Sequence, residues 1–136
     1  MKPTLLIGLC AALILAAAAP CRAQTENEEK LTLVHAVMCE AIQDAQPVNE
    51  TVIFSFEKEK AVCFTFFNPV PEKTHIYHLW YRRDRLNAKI KLRVNPPRWS
   101  TFSRIQFRDG DKGPWRVEIT DEEGNILKTL RFSITE

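Results

Sequence analysis

At 136 residues, with 45% hydrophobic and 26% charged side chains, the chain has the size and composition of one folded domain and is too apolar to be disordered. Its formal net charge of +2 belongs to Lys2 and Arg22, because residues 24–136 carry 17 basic and 17 acidic groups. That balance excludes the uniformly basic footprint of a nucleic-acid binder.

The first segment concerns location. Lys2 precedes an apolar run over 5–19, and small residues follow it. This order predicts a secretory signal peptide over 1–23, cut before Gln24 with Cys21 and Ala23 at the −3 and −1 places. The run is shorter than the about 18–20 residues a membrane span needs, so no transmembrane segment is expected after cleavage. A lipoprotein anchored through Cys21 fits less well, since Ala18 and Pro20 stand where an aliphatic and a small residue are wanted. The expected product is periplasmic or secreted, with a polar leader over 24–30 and a single domain over 31–136.

Downstream, two-residue alternation dominates and helical spacing is scarce. Residues 31–38 read as a strand, although a helix over 33–45 also fits. Residues 52–56, 61–67 and 74–82 are rich in aromatic and β-branched side chains, and the last two are apolar on both faces, as central strands are. Residues 89–94 alternate and stop at Asn95-Pro96-Pro97, where proline cannot continue a ladder. A strand resumes over 99–108. Residues 115–120 and 130–135 form a hairpin around Asp121–Asn125, with Gly124 supplying the left-handed position. It aims Trp115, Val117, Ile119, Leu130, Phe132 and Ile134 at the core. The expectation is an all-β, antiparallel immunoglobulin-like β-sandwich of seven or eight strands.

Four segments in order carry a family resemblance: His78-Leu79-Trp80-Tyr81, Arg98 to Ser103, Gly113 to Glu118, and Asp121 to Gly124 with Leu127 and Phe132. Over about 34–134 the chain resembles the bacterial domain-of-unknown-function family 2914. It departs in having Phe102 where the family often shows a second tryptophan, and in its two cysteines. The resemblance implies an exported or membrane-associated bacterial protein and implies no reaction.

Cys39 and Cys63 lie within the folded region. In an oxidising compartment such a pair is expected to form a disulfide, with two separate buried thiols or a metal pair as alternatives. His35 shares a strand face with Cys39, so His35, Cys39 and Cys63 are the candidate ligands of a metal-handling alternative; the expectation is no metal. His75 and His78 are three apart, which on a strand sends them to opposite faces. His78 is expected to be structural, packed near Trp80 with one nitrogen held by backbone. Ser100 and Ser103 have no nucleophile elbow, and Asp84, Asp109, Asp111 and Glu118 read as surface acids. Neither an enzyme nor a cofactor is expected.

Charge segregation is the strongest remaining signal. Residues 26–72 hold nine acidic and three basic groups, whereas 73–116 hold twelve basic and three acidic. If 89–94 pairs with 99–108, then Lys89, Lys91, Arg93, Arg104 and Arg108 share one face with Phe102. Such a platform fits an envelope protein or an anionic polymer, and not nucleic acid. The alternative is a carbohydrate-binding module in which Trp80, Trp99 or Phe102 stacks on a sugar.

Overall fold

A computed structural model describes residues 28–136, together with Pro3 and residues 18–21. The expected signal peptide over 1–23 and the first part of the polar leader therefore lie largely outside the described residues. Nine strands follow in order: β1 Leu33–Gln43, β2 Gln46–Glu50, β3 Ile53–Ser55, β4 Lys60–Phe67, β5 Thr74–Arg82, β6 Arg85–Val94, β7 Trp99–Gln106, β8 Gly113–Thr120 and β9 Ile126–Thr135. They build a four-stranded sheet in the order β2-β1-β4-β7 and a five-stranded sheet in the order β3-β9-β8-β5-β6. All pairings are antiparallel except β3 with β9. The expected sandwich is present, with nine strands in place of seven or eight. The added element is β2, which pairs with an extended β1; β3 is the expected 52–56 strand shortened to three residues. No helix among the described residues is long and apolar enough to cross a membrane.

Residues 33–43 are strand and not helix because their burial alternates. Ala36 and Met38 enter the main core, while Val37 and Cys39 join a smaller cluster with Val62 and Phe64 on the other side of the sheet. Between the sheets, Trp80, Trp115, Phe54 and Phe132 form the aromatic centre. Trp115 stacks on Phe132 at 6.0 Å, and Trp80 and Phe54 meet the same ring edge-on at 5.9 and 5.5 Å. Edge-to-face and offset contacts of this kind suit the ring quadrupoles and fix relative orientation as well as burying area. The β8–β9 hairpin is as expected: Trp115, Val117, Ile119, Phe132 and Ile134 are buried and Leu130 is half-buried. Its turn is organised by Asp121, whose Oδ1 accepts from the backbone of Glu123 and Asn125 at 3.0 and 2.8 Å.

Two pairings depart from expectation. Strand β6 starts at Arg85 and pairs with β5, while β7 pairs with β4 in the other sheet. The Asn95-to-Arg98 segment thus carries the chain across the sandwich and does not turn a hairpin. The expected disulfide is also not formed. Both thiols are free and buried, and Cys39 pairs with Val62, one residue out of step with Cys63. Since side chains alternate, that single step puts Cys39 on the outer side of the sheet and Cys63 in the core.

Candidate partner-binding face

Strand β5 lies between β6 and β8, so its two faces meet different surroundings. Ile76, His78 and Trp80 are fully buried between the sheets. His75, Tyr77, Leu79 and Tyr81 form the half-buried ridge of the outer face. The register sets Arg93 beside His75, Lys91 beside Tyr77 and Lys89 beside Leu79 on the β6 side. On the β8 side, Thr120, Glu118 and Arg116 stand beside Tyr77, Leu79 and Tyr81, with Arg131 of β9 beyond Arg116. An aromatic ridge therefore runs down a sheet face whose flanks are largely cationic.

Contacts across this face show how its charges are spent. The Arg116 guanidinium lies 4.2 Å from the Tyr81 ring centre, donates to Glu118 at 3.3 Å and also pairs with Asp84. One cation thereby occupies both neighbouring acids. Glu122 accepts from Thr74 at 2.9 Å and lies 3.7 Å from His75, whose other ring nitrogen is 3.3 Å from the Tyr77 hydroxyl. Lys89 sits 4.5 Å over the Tyr77 ring, a cation–π contact that holds its ammonium on the face. Lys89, Lys91, Arg93 and Arg131 are all exposed and form no ion pair among the described residues. These four carry the net positive field.

The five basic residues expected on one platform are divided. Lys89, Lys91 and Arg93 keep the outer face of the five-stranded sheet. Arg104 stands opposite Val62 and Phe102 opposite Phe64 on the other sheet, and Arg108 follows β7 in a turn closed by Asp111. The cause is the crossover between β6 and β7. Of the candidate sugar-stacking rings, Trp80 is fully buried and is removed from that role. Trp99 and Phe102 are 36% and 44% exposed, but three residues apart on one strand they point to opposite sides. Two rings so placed make no common platform.

The candidate metal ligands are not brought together. His35 and Cys39 share the outer side of β1, whereas Cys63 faces the core, and no cluster of three or more ligating side chains exists among the described residues. Burial pushes both thiols up from their ordinary range and keeps them protonated.

His78 is structural, as expected, but its partners are hydroxyl groups and not backbone. Its Nδ1 is 2.6 Å from Ser103 Oγ and its Nε2 is 3.3 Å from Thr65 Oγ1. Ser103 also accepts from the Trp80 indole at 3.0 Å, and Thr65 donates to the Thr101 carbonyl at 3.1 Å. The two ends fix every proton between them. An indole N–H only donates and a carbonyl only accepts, so Ser103 donates to Nδ1 and the proton of the neutral ring sits on Nε2. The chain links β4, β5 and β7 and leaves no member unpaired. Desolvation holds the imidazole neutral, lowering its pKa to about 3. Ser103 and His78 are 5% and 0% exposed, so this serine–histidine pair presents no nucleophile to solvent.

His75, Tyr77, Tyr81, Arg116 and Arg131 were not anticipated as part of a surface. A usable signal was present: the odd-numbered positions of 75–81 include two tyrosines, whose hydroxyls need water or a partner, whereas the buried phase carries Ile76, His78 and Trp80. Asp84, Asp109, Asp111 and Glu118 lie in turns or on the outer strand face, as expected.

Residues 73–134 match the family model described as a protein of unknown function (DUF2914), the family the sequence resembles. The matched stretch is shorter than the resemblance over 34–134; it covers β5 to β8 and nearly all of β9, including every residue of the candidate face. No curated protein matches the chain.

Proposed function

We propose that this protein is an exported, non-enzymatic binding or accessory module of the bacterial cell envelope, holding an anionic partner against the outer face of β5, β6 and β8. The observation that carries this reading is the imbalance on that face. Its acids are engaged by Arg116, Thr74 and His75, while Lys89, Lys91, Arg93 and Arg131 stand without counter-charges among the described residues. Residues two apart on a strand are about 6.8 Å apart. Neighbouring members of the β6 triplet therefore lie within the about 10 Å screening length at 0.1 M salt and act together on a partner. The tyrosine ridge adds stiff amphipathic area of the kind that anchors interfaces. Export rests on the charged, apolar and small-residue order of residues 1–23.

Retention on a column of immobilised anionic polymer tests the reading. The expected result is retention at low salt that is lost as salt rises. Replacing Lys89, Lys91 and Arg93 together by glutamate abolishes it, whereas K58E/K60E/K128E, an equal change in net charge elsewhere, leaves most of it. Retention insensitive to salt, or lost equally in both variants, contradicts the assignment.

A further inference from the structure

We infer that the anionic partner docks through an extended acidic segment that adds to the five-stranded sheet as a sixth strand along β6. This rests on the basic-face reading and names the kind of partner that face takes.

Three observations converge on β6. It ends its sheet and pairs only with β5, so over Arg85–Val94 one side of its backbone has no strand neighbour. Its outward side chains Lys89, Lys91 and Arg93 repeat every second residue, the period of an incoming strand. Its inward side chains Ala88, Ile90 and Leu92 pack against the core yet stay half-buried, because the sandwich is open along this border. Facing β6 across the opening, β7 and the turn after it complete a groove of about 350 Å³. Ala88, Ile90, Ile105 and Phe107 form its apolar part, and Arg104, Arg108 and Asp111 are among the polar side chains that complete it.

An added strand is thereby specified on both sides. Side chains of one phase stand beside Lys89, Lys91 and Arg93 and are acidic. Those of the other phase lie over the groove and are small or apolar. Backbone hydrogen bonds to the open side of β6 supply attachment, as in strand addition generally. The same cations that repel a basic strand, and would lose hydration without compensation against a neutral one, become the selecting feature, so edge protection and recognition are one device. The arrangement also gives Arg104 and Arg108 a part in binding, from the opposite sheet, through the groove and not through a shared face.

The test compares two peptides of identical composition on the full chain. One alternates glutamate and valine along a strand's length; the other carries the same residues as a glutamate block followed by a valine block. The expected result is roughly tenfold tighter binding of the alternating peptide, with slowed hydrogen exchange at β6 amides that face away from β5. K89E/K91E/R93E is expected to lose this peptide and gain an alternating lysine–valine peptide, an exchange of preference that a merely unfolded variant does not show. Equal binding of the two glutamate peptides without β6 protection overturns strand addition while leaving the anionic-face reading intact. Protection at 126–131 of β9, where β3 leaves the opposite border of the same sheet uncovered, overturns the placement. Absence of salt-sensitive binding to either glutamate peptide and to polyglutamate defeats both readings.

Discussion

The two faces of β5 teach opposite lessons from nearly the same residues. On the inner face, His78 and Trp80 are sealed between the sheets, and each polar atom they bring has a fixed partner. On the outer face, His75 and Tyr77 also touch each other, yet the cations beside them, Lys89, Lys91 and Arg93, have no counter-charge among the described residues. The inner face is closed chemistry: it holds the sheets together and has nothing left to offer a ligand. The outer face keeps the charges of Lys89, Lys91, Arg93 and Arg131 exposed and without counter-charges among the described residues. Substitutions should therefore separate stability from binding along a single strand.

Trp80→Ala is expected to have the largest effect, destabilising the fold by about 3–5 kcal/mol in urea unfolding, because it empties the centre of the aromatic cluster. A loss below about 1 kcal/mol would show that this ring does not organise the core.

Acid comes next. Unfolded, the His78 imidazole binds its proton near 6.5, while the folded protein refuses it until about 3. Between those values the unfolded chain holds the extra proton, so stability falls as pH falls, by up to about 1.4 kcal/mol per pH unit. The loss begins below 6.5 and levels off below about 3. Stability measured against pH for the wild type and H78Q isolates this contribution; equal slopes in the two proteins would remove it. Ser103→Ala is smaller, about 2 kcal/mol, because it strands the Trp80 N–H and the His78 Nδ1 in the core. A heteronuclear spectrum of the imidazole nitrogens should show Nε2 protonated, and an Nδ1–H form would break the proton chain described above.

K89E/K91E/R93E is expected to move stability least, within about 0.5 kcal/mol, since no described ion pair is lost. A destabilisation as large as that of Ser103→Ala would mean that the outer face is structural after all.

Legibility in the sequence followed turn chemistry closely. The β8–β9 hairpin was readable because Gly124 adopts φ +90° and Asp121 ties the turn together. The β5–β6 hairpin was hidden because its two-residue turn uses Arg83 and Asp84, at φ +46° and +64°, with neither glycine nor asparagine to announce them. Asp44 and Ala45, at φ +50° and +59°, hide the β1–β2 hairpin in the same way. With no signal at the first of these turns, alternation alone pairs 89–94 with 99–108 and merges five basic residues onto one platform that the crossover divides. The cysteines failed for a related reason, since alternation within a strand is local but the register between strands is not, and one residue of offset reverses the face. The basic triplet itself was legible because it depends only on alternation. The tyrosine ridge is legible only through the hydroxyls of Tyr77 and Tyr81, because a strand apolar on both faces otherwise looks the same whether one face meets a sheet or water.

The most direct measurement of the central claim is a chemical-shift titration of the isotopically labelled chain with polyglutamate at low salt. The account predicts shifts concentrated at 75–81, 89–93, 116 and 131 that fade as salt is raised. Shifts centred on 62–66 and 100–102 of the four-stranded sheet would contradict it.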